Sequence, residues 1–334
     1  MKKKYKISLV IPCLNEEGNI LSLYEGVKAS LKGHSSYEII FIDDGSRDAT
    51  LANIVKLAAT DKKVKYISFS RNFGHQMALK AGLEYSTGDV VISMDADLQH
   101  PPELIPEMIE KWKEGYDIVY TIRDDTGGEG GGGGGSMLKN ATGRVFYSVI
   151  NWLADFNMER GVADFRLIDR AVVDELRKFN ESSLFYRGLV SWVGYRQTGI
   201  SYCPGRRLSG ATKYTFGAMF KLAAAGITSF SVKPLHVATI AGFLLSALSI
   251  VYAFYALAVY FFTDTAVSGW TSVLASILFI GGFQLIMLGI LGEYIGKIFI
   301  ETRRRPGFLV KGTNIKVEPE SSSPRRERPP ARPQ

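Results

Sequence analysis

The sequence predicts an α/β fold: a mostly parallel sheet with helices on both faces, then juxtamembrane amphipathic helices and a two-helix transmembrane hairpin. Three observations predict it. Short apolar runs and helix-spaced patterns alternate strictly over the first ~120 residues, which implies parallel strands joined by crossover helices. Each apolar run closes on a cluster of polar residues. Two long segments after residue 236 carry no charge at all.

The elements follow in order. Ile7–Ile11 is a short buried strand ending at Pro12, and Asn19–Leu31 follows with apolar residues at Ile20, Leu23, Val27 and Leu31. Tyr37–Ile42 is the second strand, stopped by Asp43-Asp44-Gly45, and Ala49–Thr60 the second helix. Val64–Phe69, Val90–Met94 and Asp117–Thr121 supply three more strands, with helices over Met77–Ser86 and Pro101–Gly115 between them. In sheets of this kind ligands bind beyond the carboxyl ends of the strands, and the polar clusters fall at those ends. Gly127–Ser136 has eight glycines in ten residues and reads as a flexible loop within a first domain spanning 1–212.

Val237–Phe262 holds no charged residue over 26 positions, and Thr271–Gly292 none over 22. Each is long enough for a hydrocarbon core that needs ~20 residues. The spans are expected at about 237–262 and 271–293, within 236–300. Their eight-residue connection, Thr263–Trp270, has one Asp and no Lys or Arg, whereas Lys233, Lys297 and Arg303–Arg305 flank the pair. The positive-inside rule then puts both termini and the first domain in the cytoplasm. The N-terminal apolar run is shorter than the ~7–15 residues of a signal-peptide core, so that end is expected to stay in the cytosol. Residues 213–235 bring Phe216, Phe220, Ala223, Ala224, Ile227 and Phe230 to one helical face, beside Lys213, Lys221 and Lys233. Amphipathic helices in the headgroup layer fit this pattern, as does packing on the domain itself.

The net charge is +7, and the tail from Arg303 onward carries nine Lys/Arg against three Glu. The rest is nearly neutral, which argues against a nucleic-acid-binding domain, and a basic tail beside apolar segments suits an anionic membrane surface. Residues 301–334 read as a basic cytoplasmic tail, partly disordered. The two cysteines, Cys13 and Cys203, form no metal-ligand spacing and read as reduced thiols.

The chemistry lies in the polar clusters. Asp95-Ala96-Asp97 follows the fourth strand, and two carboxylates at i and i+2 can hold one hard cation, Mg²⁺ or Mn²⁺, against a diphosphate. Asp43 and Asp44 end the second strand, where a carboxylate can accept from a base or ribose, although an ordinary Asp-Gly turn has the same composition. Pro12, Leu14 and Glu16 end the first strand and face the same crevice. Arg71 and His75 bracket the start of a helix and can meet phosphate, or can be surface groups only.

These segments together resemble a known family. Val10–Glu17, Asp43–Asp48, Ser70–Gly74 and Asp95–Pro102 are similar to the corresponding motifs of family 2 glycosyltransferases of the GT-A (Rossmann-like) fold. Gly161–Arg170, Val193–Gln197, Gly210–Tyr214 and Gly292–Lys297 resemble the polyprenyl-phosphate glycosyltransferases within that family. The likeness is to the GtrB-like branch, related to dolichol-phosphate mannose synthase. It implies an enzyme that transfers a single hexose, with inversion, from a nucleotide sugar to polyprenyl (undecaprenyl) phosphate. UDP-glucose is the expected donor, with GDP-mannose as the alternative, and a homo-oligomer packed through its hairpins is expected. The resemblance implies contacts to the nucleotide sugar from Glu16, Asp44, Asp95, Ala96, Asp97, Gln99 and their neighbours. It also implies Asp164 as the catalytic aspartate, with Arg166 beside it. Arg123, Arg166, Arg206 and Lys213 are candidates for the acceptor phosphate, which needs cations near a second diphosphate. Asp164 remains open between a base, an orienting or metal-linked group and a structural one. The glycine-rich stretch and Leu14 depart from the family pattern.

Two rivals are separable. A processive polysaccharide synthase would carry a Gln-x-x-Arg-Trp motif, and none of the glutamines here begins one. A non-catalytic membrane module would have no need of carboxylates at every strand end.

Overall fold

The computed structural model describes residues 5–123, 162–179, 181, 186–203, 232–262 and 269–316. The predicted alternation is present. Strand β1 (Ile7–Cys13), helix α1 (Ile20–Ser30), β2 (Tyr37–Asp43), α2 (Thr50–Thr60), β3 (Val64–Phe69), α3 (His75–Tyr85), β4 (Val90–Ser93), α4 (Ile105–Lys113) and β5 (Ile118–Arg123) follow one another. Beyond them come β6 (Val162–Asp169), α5 (Arg170–Leu176), α6 (Tyr186–Trp192) and β7 (Gln197–Tyr202). The long helices α7 (Lys233–Phe262) and α8 (Trp270–Thr302) precede a final strand, β8 (Val310–Thr313).

The eight strands form one sheet in the order β7-β5-β6-β4-β1-β2-β3-β8. Only β6 and β8 run against the others. The period-two alternation of a strand sends neighbouring side chains to opposite faces. Ile7, Leu9 and Ile11 accordingly pack with α1 and α4, while Val10, Ile40 and Ile42 pack with α3, α5 and α6. Burial on both faces is what makes these strands read as continuous apolar runs.

The register positions the rim. β1 and β2 pair from Ile7↔Tyr37 to Cys13↔Asp43, so their carboxyl ends are flush. The amide of Asp44 then donates to the carbonyl of Cys13 at 2.9 Å. Antiparallel β6 enters the sheet at the same rim, with Arg166 opposite Ser93.

α7 and α8 are long and apolar enough to cross a membrane. Their large side chains face outward, Phe243 and Leu285 being 79% and 71% exposed, as a lipid-facing surface requires. Both exceed the expected spans: α7 begins at Lys233, and α8 continues to Thr302 through Glu293, Lys297 and Glu301. At 1.5 Å per residue the 33 residues of α8 reach about 50 Å, past a core about 30 Å thick. The expected amphipathic segment after Tyr214 and the glycine-rich stretch lie outside the described residues.

The tail also holds a strand that the apolar pattern did not announce. Val310–Thr313 pairs antiparallel with β3, Phe69 opposite Val310 and Ile67 opposite Thr313. Asn314 completes it, its Oδ1 accepting from the amide of Tyr66 and its Nδ2 donating to the carbonyl of Val64.

α3 is pressed onto the sheet at Gly82. A Cβ there would lie 2.1 Å from Val10 Cγ1 and 3.0 Å from Ile42 Cδ1. Alanine in a helix interior is ordinarily favoured over glycine by about 1 kcal/mol, but overpacking costs about 1–3 kcal/mol. Gly82→Ala is therefore expected to lower the Tm of the detergent-solubilised protein by a few degrees; a higher Tm would show that this layer yields.

Candidate active site

Asp95 stands just past the end of β4, where the chain leaves the sheet. Its side chain is 32% exposed, but Oδ1 is enclosed by protein and makes no hydrogen bond. His75, the first residue of α3, places Nε2 3.5 Å from Asp95 Oδ1 and 3.6 Å from Asp164 Oδ2. One imidazole thus spans two carboxylates brought in by β4 and β6. Asp164 is 7% exposed, and its carbonyl accepts from the hydroxyl of Ser93 at 2.6 Å.

His100 holds Asp95 from below. The Asp95 amide donates to His100 Nδ1 at 3.0 Å, so the neutral ring carries its proton on Nε2, 3.8 Å from Asp95 Oδ2. The ring is buried, stacked on Phe165 at 5.3 Å and edge-on to Tyr202. Burial raises the pKa of the Asp95 carboxyl; His100 and His75 oppose that, and Asp164 and Asp97 add to it. Asp97 accepts from the amide of Gln99 at 3.1 Å, closing a tight turn over the buried Ala96. Leu98 in that turn is left-handed, with φ +62°, as is Asn15 at +55° after β1. Two strained non-glycine residues on one rim are of the kind that concentrates at ligand sites.

The β2 side is built differently. Asp43 is buried and accepts from the Ser46 amide and the Ser68 hydroxyl. Asp44 is buried too, Oδ1 accepting from the Phe73 amide at 2.6 Å and Oδ2 from the Gly74 amide at 2.9 Å. Burial raises its pKa against the pull of those two amides. Gly45 has φ +73°, and a Cβ there would sit 2.6 Å from the carbonyl carbon of Arg71, so only glycine lets the turn approach the Arg71–Gly74 loop so closely. In that loop the exposed Arg71 guanidinium lies 4.1 Å from the centre of the Phe73 ring and donates to the Asn72 carbonyl. Glu16 accepts from Asn19 Nδ2, and its amide donates to Thr50 Oγ1. Leu14 is 41% exposed on the rim, beyond the buried Pro12.

The structure thus brings the predicted Glu16, Asp43, Asp44, Arg71, Asp95, Asp97 and Asp164 to one edge of the sheet. Arg123 ends β5 at that edge and is exposed. Arg166, expected beside Asp164 and as a candidate for the acceptor phosphate, is 4% exposed, and its Nε donates to the carbonyl of Ala163. Antiparallel alternation on β6 turns it inward, where it lines a small cavity with Asp164, Ser93 and Tyr186. Arg206 and Lys213 lie outside the described residues. Sequence reasoning missed the bridging geometry of His75 and the whole role of His100. The signal for both was a histidine adjoining a strand-end cluster.

Residues 8–177 match the family model "Glycosyl transferase family 2", and residues 233–298 match "GtrB C-terminal hairpin". The bactoprenol glucosyl transferase of Shigella phage SfX is 43% identical over 308 residues, 92% of this chain and 99% of its own. A prophage bactoprenol glucosyl transferase homolog of Escherichia coli (strain K12) is 42% identical over 92% of this chain and 98% of its own. The uncharacterized glycosyltransferase YkcC of Bacillus subtilis (strain 168) is 42% identical over 93% and 95%. With its mixed sheet, carboxylate-lined rim and two apolar helices, the chain belongs to glycosyl transferase family 2, a membrane-associated glycosyltransferase of the GT-A type that carries the GtrB C-terminal hairpin.

Proposed function

We propose that the protein moves one glucose from UDP-glucose onto polyprenyl phosphate, with inversion, at the cytoplasmic face of a membrane. The observation that carries this reading is the meeting of Asp95 and Asp164 across His75 at the carboxyl ends of the parallel strands. It is supported by relatives at 42–43% identity named bactoprenol glucosyl transferases. Topology is supported by the sheet: β3 precedes the hairpin, β8 follows it, and the two are paired. Both ends of the hairpin therefore belong on one side, and the flanking Lys233, Lys297 and Arg303–Arg305 favour the cytoplasm.

Asp95 and Asp97 would hold Mg²⁺ or Mn²⁺. The enclosed Asp95 Oδ1, without a hydrogen bond, fits an oxygen reserved for a hard cation. Among the described residues no group of three or more His, Cys, Asp or Glu is set to hold an ion alone, so the other ligands would be diphosphate oxygens and water. When bound, the cation offsets charge on the departing diphosphate.

The attacking group is a phosphate monoester, whose second pKa of about 6 leaves it largely ionised at neutral pH. One of its oxygens bonds to the anomeric carbon as the bond from that carbon to the diphosphate breaks. The electron pair leaves with UDP, and no proton has to be removed. Asp164 then acts by orientation, fixed by Ser93 beneath it and His75 beside it. Arg166 shapes the start of β6 through Ala163. Glu16, Asp43, Asp44 and Arg71 form the nucleoside side, and Arg123, Arg206 and Lys213 receive the lipid phosphate. Holding both reactants supplies orientation worth several kcal/mol of the barrier.

Asp97→Ala should lower transfer to undecaprenyl phosphate by about 100-fold or more in vesicles with Mg²⁺ or Mn²⁺; near-normal turnover would remove the metal assignment. Asp44→Asn turns one acceptor into a donor facing an amide, so UDP affinity measured by calorimetry should fall about tenfold, and unchanged affinity would detach Asp44 from the nucleoside side. In a donor panel of UDP-glucose, UDP-galactose, UDP-N-acetylglucosamine and GDP-mannose, mass spectrometry should find one hexose per lipid, with UDP-glucose fastest. Chain extension or a preference for GDP-mannose would overturn that assignment.

A further inference from the structure

We propose that Phe308, on the segment that follows the second membrane helix, is a positioning residue for the nucleotide side of the site. α8 ends at Thr302, and five residues later the chain reaches Gly307. Gly307 runs so close to α3 that a Cβ there would lie 2.7 Å from Met77 Sδ. Phe308 then stacks on Phe69 with ring centres 5.0 Å apart and planes at 18°. Phe69 is the last residue of β3, 2% exposed, and meets Phe73 edge-on at 5.7 Å. The next link is a hydrogen bond from the Ser70 amide to the Leu309 carbonyl at 2.9 Å.

The chain of contacts ends on Asp44. Phe73 carries Arg71 on its ring face, and its amide is one of the two donors to the Asp44 carboxylate. Two aromatic contacts and one backbone bond therefore brace the Arg71–Gly74 loop from behind. The five residues 303–307 tie Phe308 to a helix of membrane-spanning length. Edge-to-face and stacked ring pairs prefer defined geometries and add to what burial alone supplies, which suits a loop whose amides must stay aimed at one carboxylate. Phe308 touches neither reactant; it acts by keeping Phe73 and Arg71 in register with Asp44. The inference rests on the proposed reading of this rim as the nucleotide side.

The test uses the full-length protein in detergent or vesicles, with UDP as the binding probe and UDP-glucose as the donor. Phe308→Ala should weaken UDP binding and raise the donor KM by about fivefold to tenfold, with kcat and the lipid KM within about twofold. Phe308→Tyr should restore both values. Phe308→Leu, which keeps most of the volume without the ring, should fall between and serves if the alanine variant does not fold. Asn314→Ala loosens the other end of β8, where its side chain bonds Val64 and Tyr66. It should lower Tm while leaving the donor KM unchanged. Equal donor KM in wild type and Phe308→Leu, or a KM rise in Asn314→Ala that tracks its loss of Tm, would overturn the inference. A wild-type protein that binds no UDP would instead remove the site reading beneath it.

Discussion

Asp43, Asp44, Asp95, Asp97 and Asp164 stand along one sheet edge, and like charges at such spacing cost free energy unless they are offset. The protein offsets each one locally. Asp44 receives two backbone amides, Asp43 an amide and a hydroxyl, and Asp97 an amide. Asp95 and Asp164 share an imidazole, and Asp95 leans on a second. Asp95 Oδ1 is enclosed and makes no hydrogen bond, its contact being the His75 imidazole at 3.5 Å. Carboxylates offset by amides, hydroxyls and imidazoles thus line one rim, at the carboxyl ends of the parallel strands.

That arrangement depends on register. Flush ends of β1 and β2 put the turns after Cys13 and Asp43 side by side. A one-residue slip in either strand would exchange the side chains facing the two helix layers, since they alternate. The two-layer core enforces the register, because Val10 and Leu9 face different helices and cannot trade places. Helix α3 adds a second constraint: its contact at Gly82 fixes how far His75 reaches over the rim.

Much of this was legible in the sequence. The alternation of apolar runs predicted β1 to β5 and α1 to α4 nearly to their ends, because strands buried on both faces announce themselves by composition. The strand-end carboxylates were legible for the same reason, as the first polar residues after each run. Three features were not. Arg166 read as a cation for the acceptor phosphate, because its burial depends on pairing with Ser93, a partner 73 positions away. His100 read as part of a motif because its stacking on Phe165 is a tertiary contact. Strand β8 was hidden because Val-Lys-Gly-Thr has no apolar run; its pairing comes from backbone groups that every residue carries.

The closing strand has a consequence for biogenesis. Asn314 bonds Val64 across 250 positions of chain, and both membrane helices lie between them. Synthesis proceeds from the N-terminus, so β3 emerges as a bare sheet edge and stays so until the hairpin has left the ribosome. Contacts of such separation form late, and a bare edge invites pairing with other chains. Completion of the sheet thus waits on the hairpin, and a chain cut short before residue 310 would carry an unsealed edge into the cell.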